Sequence, residues 1–353
     1  MKKTIILLLC CVALCAVQSH NKWLSTKFNS DKVKSDFLLF LAKNYSSNSL
    51  TILNSEKSFK EYTVYARGSS HREMVDDYTT VIHESLHGYD MTKSMDLWSK
   101  YVFDENAPAK SWNVYFHSAQ TEIVVPQFST YKSTELNKVI LREWQKEIFR
   151  YSSYVGDGSG VSSQEDGIYG MVEEFNAYYQ GTKAGYELRP YYQSFCQETD
   201  CWQDYLANIS STVYAYHEFR LFIAWYLKYA QQKHPKVYQD CLKNENLKVA
   251  FTLTNNAYKQ LIADYFQARK EIMQEMETKY NVKTELSDEY LTILKGGSGS
   301  GRGVPDKSIK YLESLLKPED IKHLESITLK GVTEANYKDF LKQVEEIIKS
   351  SYK

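Results

Sequence analysis

The sequence has almost no excess of either charge. Its 353 residues hold 43 basic and 44 acidic side chains, well mixed, for a net charge of −1. No basic stripe points to nucleic acid, and no polybasic cluster points to an anionic membrane surface. Long apolar runs are missing too. Beyond the first twenty positions nothing approaches the ~18 consecutive apolar residues of a membrane-spanning helix. Cysteine is sparse. Of six, Cys10, Cys11 and Cys15 sit in the N-terminal apolar stretch, leaving Cys196, Cys201 and Cys241. Three cysteines cannot all pair within one chain. A small Cys196–Cys201 loop and a buried, free Cys241 are the expected arrangement in an oxidising compartment. Histidine is scarce as well, at 8, which makes a close pair of them informative.

What is present starts at the N-terminus. Met1-Lys2-Lys3 is followed by an apolar Ile5–Val17 segment and then Gln18-Ser19 before His20. That is the layout of a secretory signal peptide over residues 1–19, and it implies an extracytoplasmic protein. A lipid anchor needs a small residue before its cysteine, and Leu14 precedes Cys15. Asn44-Tyr45-Ser46 and Asn208-Ile209-Ser210 are glycosylation sequons. Tyrosine is abundant, at 29, and serves either helical cores or a partner surface.

The patterning is mostly helical. Amphipathic periodicity predicts helices over 31–43, 73–88, 133–151, 168–180, 205–232 and 255–280. Gly88 reads as a C-cap, and Gly181 as the end of the fourth helix. Lys60–Arg67 alternates like a strand, and Trp112–Phe116 and Glu122–Val125 are shorter strand candidates. Gly296–Gly303, GGSGSGRG, reads as a linker or loop. Residues 304–353 then form a charged helical C-terminal segment. The expected fold class is α+β, predominantly helical, with a small sheet.

The chemistry concentrates in Thr79–Asp90, TTVIHESLHGYD. His83 and His87 are four apart, so on a helix they lie one above the other. Two imidazoles so placed can reach one ion, and Glu84 lies about 100° around the same helix. The flanking Thr80, Val81, Ile82, Ser85, Leu86, Gly88 and Tyr89 carry no charge. This stretch resembles the HExxH signature of the zincin metallopeptidases. The resemblance implies a Zn2+ site with His83 and His87 as ligands and Glu84 as the base that activates a zinc-bound water. It also implies a zincin-like catalytic domain over 20–295, a protein or peptide substrate, and hydrolysis of peptide bonds.

The third ligand separates the zincin subgroups. The HExxHxxGxxH form is absent, because Asp90 and Lys93 stand where it needs Gly and His. Glu174-Phe175-Asn176-Ala177 is similar to the ExxA pattern of gluzincins, where a glutamate from a later helix completes the shell. Glu174 is the expected ligand, and Ala177 would let the two helices approach. Glu173 is the alternative, either as a ligand or as a carboxylate holding a ligating histidine. The spacing of 87 residues from His87 to Glu174 is long for gluzincins and implies an inserted segment. Arg302–Asp306, RGVPD, is similar to a matrixin latch, but Gly303 replaces the cysteine that would cap zinc. His217 is a candidate donor to the developing oxyanion, with Tyr89, Tyr178 and Tyr179 open as others. The alternative to a secreted peptidase is a catalytically inactive binding protein on the same scaffold at the cell exterior.

Overall fold

Two crossing helices organise the molecule. A computed structural model describes residues 22–101, 112–157 and 159–342. The expected signal peptide lies outside these residues. The first central helix is His71–Tyr101, and the second is Ile168–Glu187. The fold is predominantly helical α+β, as the patterning implies, with two small antiparallel sheets. Among the described residues, no helix is long and apolar enough to cross a membrane.

The first central helix begins with a reciprocal cap. The Glu73 carboxylate accepts the amide N–H groups of Ser69 and Ser70, at 2.8 and 3.0 Å. Ser70 Oγ accepts the Glu73 amide at 3.4 Å. These backbone bonds hold the Glu73 carboxyl down at about 2. Ser70-His71-Arg72-Glu73 is thus a capping box. The helix does not stop at Gly88. A Cβ there would lie 2.6 Å from Glu56 Oε1, so this glycine serves a close side-chain approach inside a continuing helix.

The second central helix needs glycine at its entry. Gly167 has φ +56°, a left-handed conformation, and a Cβ would meet Tyr131 O at 2.3 Å. The helix also runs past its expected end at Gly181. At the crossing, a Cβ on Gly181 would sit 2.8 Å from the Thr79 carbonyl oxygen and 3.3 Å from His83 Cβ. One turn on, a Cβ on Gly185 would meet Thr79 Cγ2 at 2.7 Å. Gly181 and Gly185 continue the face begun by buried Ala177. The small-residue contact expected at Ala177 therefore extends two turns further, and glycine supplies its tightest point.

Strands β1 (Trp112–Ser118) and β2 (Thr121–Pro126) form a hairpin, with Val114 opposite Val124 and Tyr115 opposite Ile123. Side chains of the central helices fasten its outer edge. Ser94 Oγ accepts the Val114 amide at 3.0 Å, and Asp90 Oδ1 accepts the Phe116 amide at 2.9 Å. Asn176 Nδ2 donates to the Phe116 carbonyl at 2.6 Å, and Gln180 Nε2 to that of His117 at 2.8 Å.

Elsewhere the expectations need correction. Lys60–Arg67 is not a strand. Phe59–Thr63 is a short helix capped by Ser58, with Tyr62 and Thr63 buried on its inner side. Residues 133–151 hold a 3-10 turn, Ser133–Lys138, and a separate short helix, Arg142–Glu147. The expected 205–232 helix breaks at Tyr214 into Thr199–Val213 and Ala215–Lys233. A single helix, Glu245–Tyr280, covers the last expected long one.

The Gly/Ser-rich stretch is also ordered backbone. Gly296 and Gly297, with φ +57° and +86°, make the two-residue turn between β4 (Tyr290–Lys295) and β5 (Ser298–Gly303). Two successive positive φ values match the twist of a tight hairpin. Strand β3 (Lys283–Leu286) completes this three-stranded sheet. Beyond it, helices Asp306–Leu315 and Pro318–Ser326 pack on Ala215–Lys233. Cys196 and Cys201 form a disulfide, and Cys241 is free and buried.

Candidate metal centre

The helix crossing brings His83, His87 and Glu174 together. The two histidine Nε2 atoms are 3.2 Å apart. Glu174 Oε2 lies 3.5 Å from His83 Nε2 and 3.7 Å from His87 Nε2. An ion bound tetrahedrally at 2.0–2.2 Å separates its ligand atoms by about 3.3–3.6 Å. The triangle in the protein is close to one face of that tetrahedron. Among the described residues, this trio is the group whose donor atoms converge in a way that could hold a metal ion.

The local chemistry fits an ion. Glu174 is 7% exposed, and its Oε2, which faces both imidazoles, accepts no hydrogen bond. A buried carboxylate oxygen without a donated hydrogen bond costs free energy that a cation would offset. Burial acts to raise the Glu174 carboxyl, but His83 and His87 outweigh it and hold it below the usual range. Burial likewise opposes charge on His87, but Glu173, Glu174 and Glu84 outweigh it and lift the imidazole to about 10.

Glu173 lies elsewhere. Its Oε1 is 2.5 Å from His87 Nδ1, on the ring edge opposite Nε2. A carboxylate there selects the tautomer with its proton on Nδ1 and leaves Nε2 free as a donor to an ion. Adjacent residues on one helix thus take two different places, because they project about 100° apart.

Glu84 lines two cavities that meet at His83. The larger, of about 630 Å3, also includes His87, Asp90, Asp166, Glu173 and Glu174. The smaller, of about 120 Å3, is bounded by Thr79, Thr80, Tyr178, Gly181 and Thr212. Among the described residues, Glu84 makes no hydrogen bond or ion pair.

Sequence reasoning did not find Tyr154. It lines both cavities, and its hydroxyl is 3.1 Å from that of Tyr178. Burial raises its phenol strongly, and the Glu174 carboxylate beside it adds to the effect. The Tyr178 ring meets the His83 ring edge-on at 4.4 Å. Arg150 fixes this corner. Its guanidinium sits 4.2 Å over Tyr178 and bonds Glu218 Oε2 at 2.7 Å, while its amide bonds Glu218 Oε1 at 3.0 Å. Tyr154 sits on a four-residue helical turn whose position depends on this buried ion pair, so no local pattern announces it.

The other candidate donors point away. His217 is buried with Nδ1 3.7 Å from Glu313 Oε1, and burial and Arg220 push it down to about 4. It borders neither cavity. Tyr89 bonds Glu122, and Tyr179 packs on Tyr258 and His117.

No family model, curated protein or solved structure matches this chain. Any functional reading therefore rests on the site's own geometry.

Asp90 is the remaining notable side chain. It is 4% exposed, its Oδ1 accepts the Phe116 amide, and its Oδ2 has no partner. Burial drives its carboxyl well above the usual range, and Glu173 adds to that.

Proposed function

We propose that the protein is an exported zinc metallopeptidase of gluzincin type, acting on protein or peptide substrates. One observation carries this reading. Two Nε2 atoms and an orphaned, buried carboxylate oxygen form a triangle that opens into a cavity beside an unpaired glutamate.

His83, His87 and Glu174 would hold the ion, a nitrogen and oxygen donor set suited to zinc. When bound, zinc acts as a Lewis acid that polarises a carbonyl and acidifies water toward a pKa of about 7. Glu84 takes the proton as water attacks and delivers it to the leaving amine. The Tyr154 O–H donates to the oxygen on which negative charge develops. Glu173 holds His87 in register through Nδ1, and Arg150 holds Tyr178 and the Tyr154 turn. The Cys196–Cys201 disulfide supports a life in an oxidising compartment, which agrees with export through the N-terminal signal.

The test is metal analysis of purified protein, followed by digestion of a broad peptide library. The expected result is one zinc per chain and cleavage that vanishes in Glu84→Gln with zinc retained. Protein that takes up no metal after zinc dialysis refutes the site. Tight zinc with no cleavage of any peptide leaves an inactive binding protein on the same scaffold.

A further inference from the structure

The two cavities that meet at the candidate metal centre differ in charge. Five carboxylates line the larger one, Glu84, Asp90, Asp166, Glu173 and Glu174, and no lysine or arginine does. A divalent ion would offset two of the ionised ones, and Asp90, whose carboxyl burial raises, becomes a charge once a cation pairs with it. The smaller cavity adds only hydroxyls, the Tyr178 ring and the bare Gly181 backbone to the shared His83 and Glu84.

The metal chemistry does not use all of this acidity. Glu174 belongs to the converging trio, Glu173 to His87 Nδ1, and Glu84 to proton transfer. Asp90 and Asp166 remain. Asp90 is the informative one, because it is almost fully buried at the cavity wall and its Oδ2 has no partner. A buried carboxylate oxygen without a donor is an unsatisfied acceptor, and a cationic group satisfies it best. A second metal ion is a poor occupant. The donor atoms that converge are those of His83, His87 and Glu174, and Asp90 is not among them. An organic cation with several N–H donors fits better, since the same cavity carries Asp90 in its wall and exposed Asp166 at its rim.

Resting on the peptidase reading, we infer that the cleft selects peptides with a lysine or arginine in the larger cavity and a small residue in the threonine-lined one. The scissile bond lies between them, over Glu84 and His83, which with Tyr154 are common to both walls. The charge difference then orients the substrate, and negative potential raises the local concentration of basic peptides. Large side chains are kept from the smaller side by its volume of about 120 Å3.

The experiment compares otherwise identical peptides carrying arginine or norleucine at the scanned position. Cleavage is measured on zinc-loaded protein, and binding on zinc-loaded Glu84→Gln by fluorescence anisotropy. The expected result is an arginine preference of at least about tenfold in both readouts. Asp90→Asn, which keeps an oxygen for the Phe116 amide, should cut that preference about tenfold. Asp166→Asn, at an exposed position, should cut it less and covers the case in which the Asp90 variant does not fold. Cleavage without arginine preference overturns this inference and leaves the peptidase reading intact. No cleavage, with arginine-selective binding that Asp90→Asn weakens, does the reverse. Absence of both cleavage and selective binding overturns both.

Discussion

Replacing Gly181 by alanine should pry the two central helices apart. A Cβ at this position would lie 2.8 Å from the Thr79 carbonyl oxygen, whereas ordinary contact starts at 3.4 Å. The helices must therefore separate by about half an ångström, since a backbone carbonyl within a helix cannot rotate away. Overpacking of this kind costs about 1–3 kcal/mol. Alanine also returns up to about 1 kcal/mol of helix propensity relative to glycine. Gly185→Ala supplies the control. It gains the same propensity, but its new Cβ meets side-chain atoms, Thr79 Cγ2 at 2.7 Å and Ile209 Cγ1 at 3.6 Å, rather than backbone. The difference between the two variants isolates the backbone overlap, and Gly181→Ala should be the less stable by about 1–3 kcal/mol in chemical denaturation.

The metal site should register the same displacement. Half an ångström would stretch the His83–Glu174 separation from 3.5 Å to about 4 Å, beyond what bonds of 2.0–2.2 Å comfortably span. Zinc affinity, read by competition with a chromogenic chelator, should fall at least tenfold in Gly181→Ala and little in Gly185→Ala. Equal stability and equal zinc affinity in the two variants would refute the idea that this crossing sets the ligand spacing.

Other outcomes follow from the same corner of the molecule. Tyr154→Phe should lower kcat about a hundredfold with little change in KM, because its hydroxyl is assigned to the developing oxyanion rather than to ground-state binding. A matched loss in KM alone would remove it from that role. In EDTA-treated protein, His87 holds its proton up to about 10, against an ordinary value of 6.5. Its pairing with Glu173 therefore stabilises the fold fully below pH ~6.5, and that contribution drains away as pH climbs toward 10. Urea denaturation at pH 6 and pH 9.5 should show the decline, and Glu173→Gln should flatten it. The same variant should weaken zinc about 10- to 100-fold by releasing His87 Nδ1.

The helix carrying His83 and His87 was legible because its signal is local. His83 and His87 need only helical spacing to share a face, and uncharged flanks let that helix enter a core. That Glu174 faces both Nε2 atoms while Glu173 meets His87 Nδ1 depends on the crossing angle, which no local pattern encodes. Tyr154 was hidden for a similar reason, since its place depends on Arg150 reaching Glu218 across 68 residues. Misread glycines had the opposite cause. Gly88 and Gly181 look like helix ends by composition, but each marks a close approach from another element. The Gly/Ser stretch looked like a linker because composition ignores pairing. Its Gly296-Gly297 dipeptide carries the turn signal, and β4, with Leu291 and Ile293 buried, supplies the partner strand.

The fastening of β1 bears on how inhibitors should be built. Val114 and Phe116 have already committed their outward amides to Ser94 and Asp90, and the carbonyls of Phe116 and His117 are taken by Asn176 and Gln180. An extended backbone mimic would find no free ladder along those residues. If the proposed peptidase reading holds, compounds that join a zinc-chelating group to a guanidinium arm should outperform strand-like peptidomimetics, because this edge of the hairpin leaves little main chain to pair with.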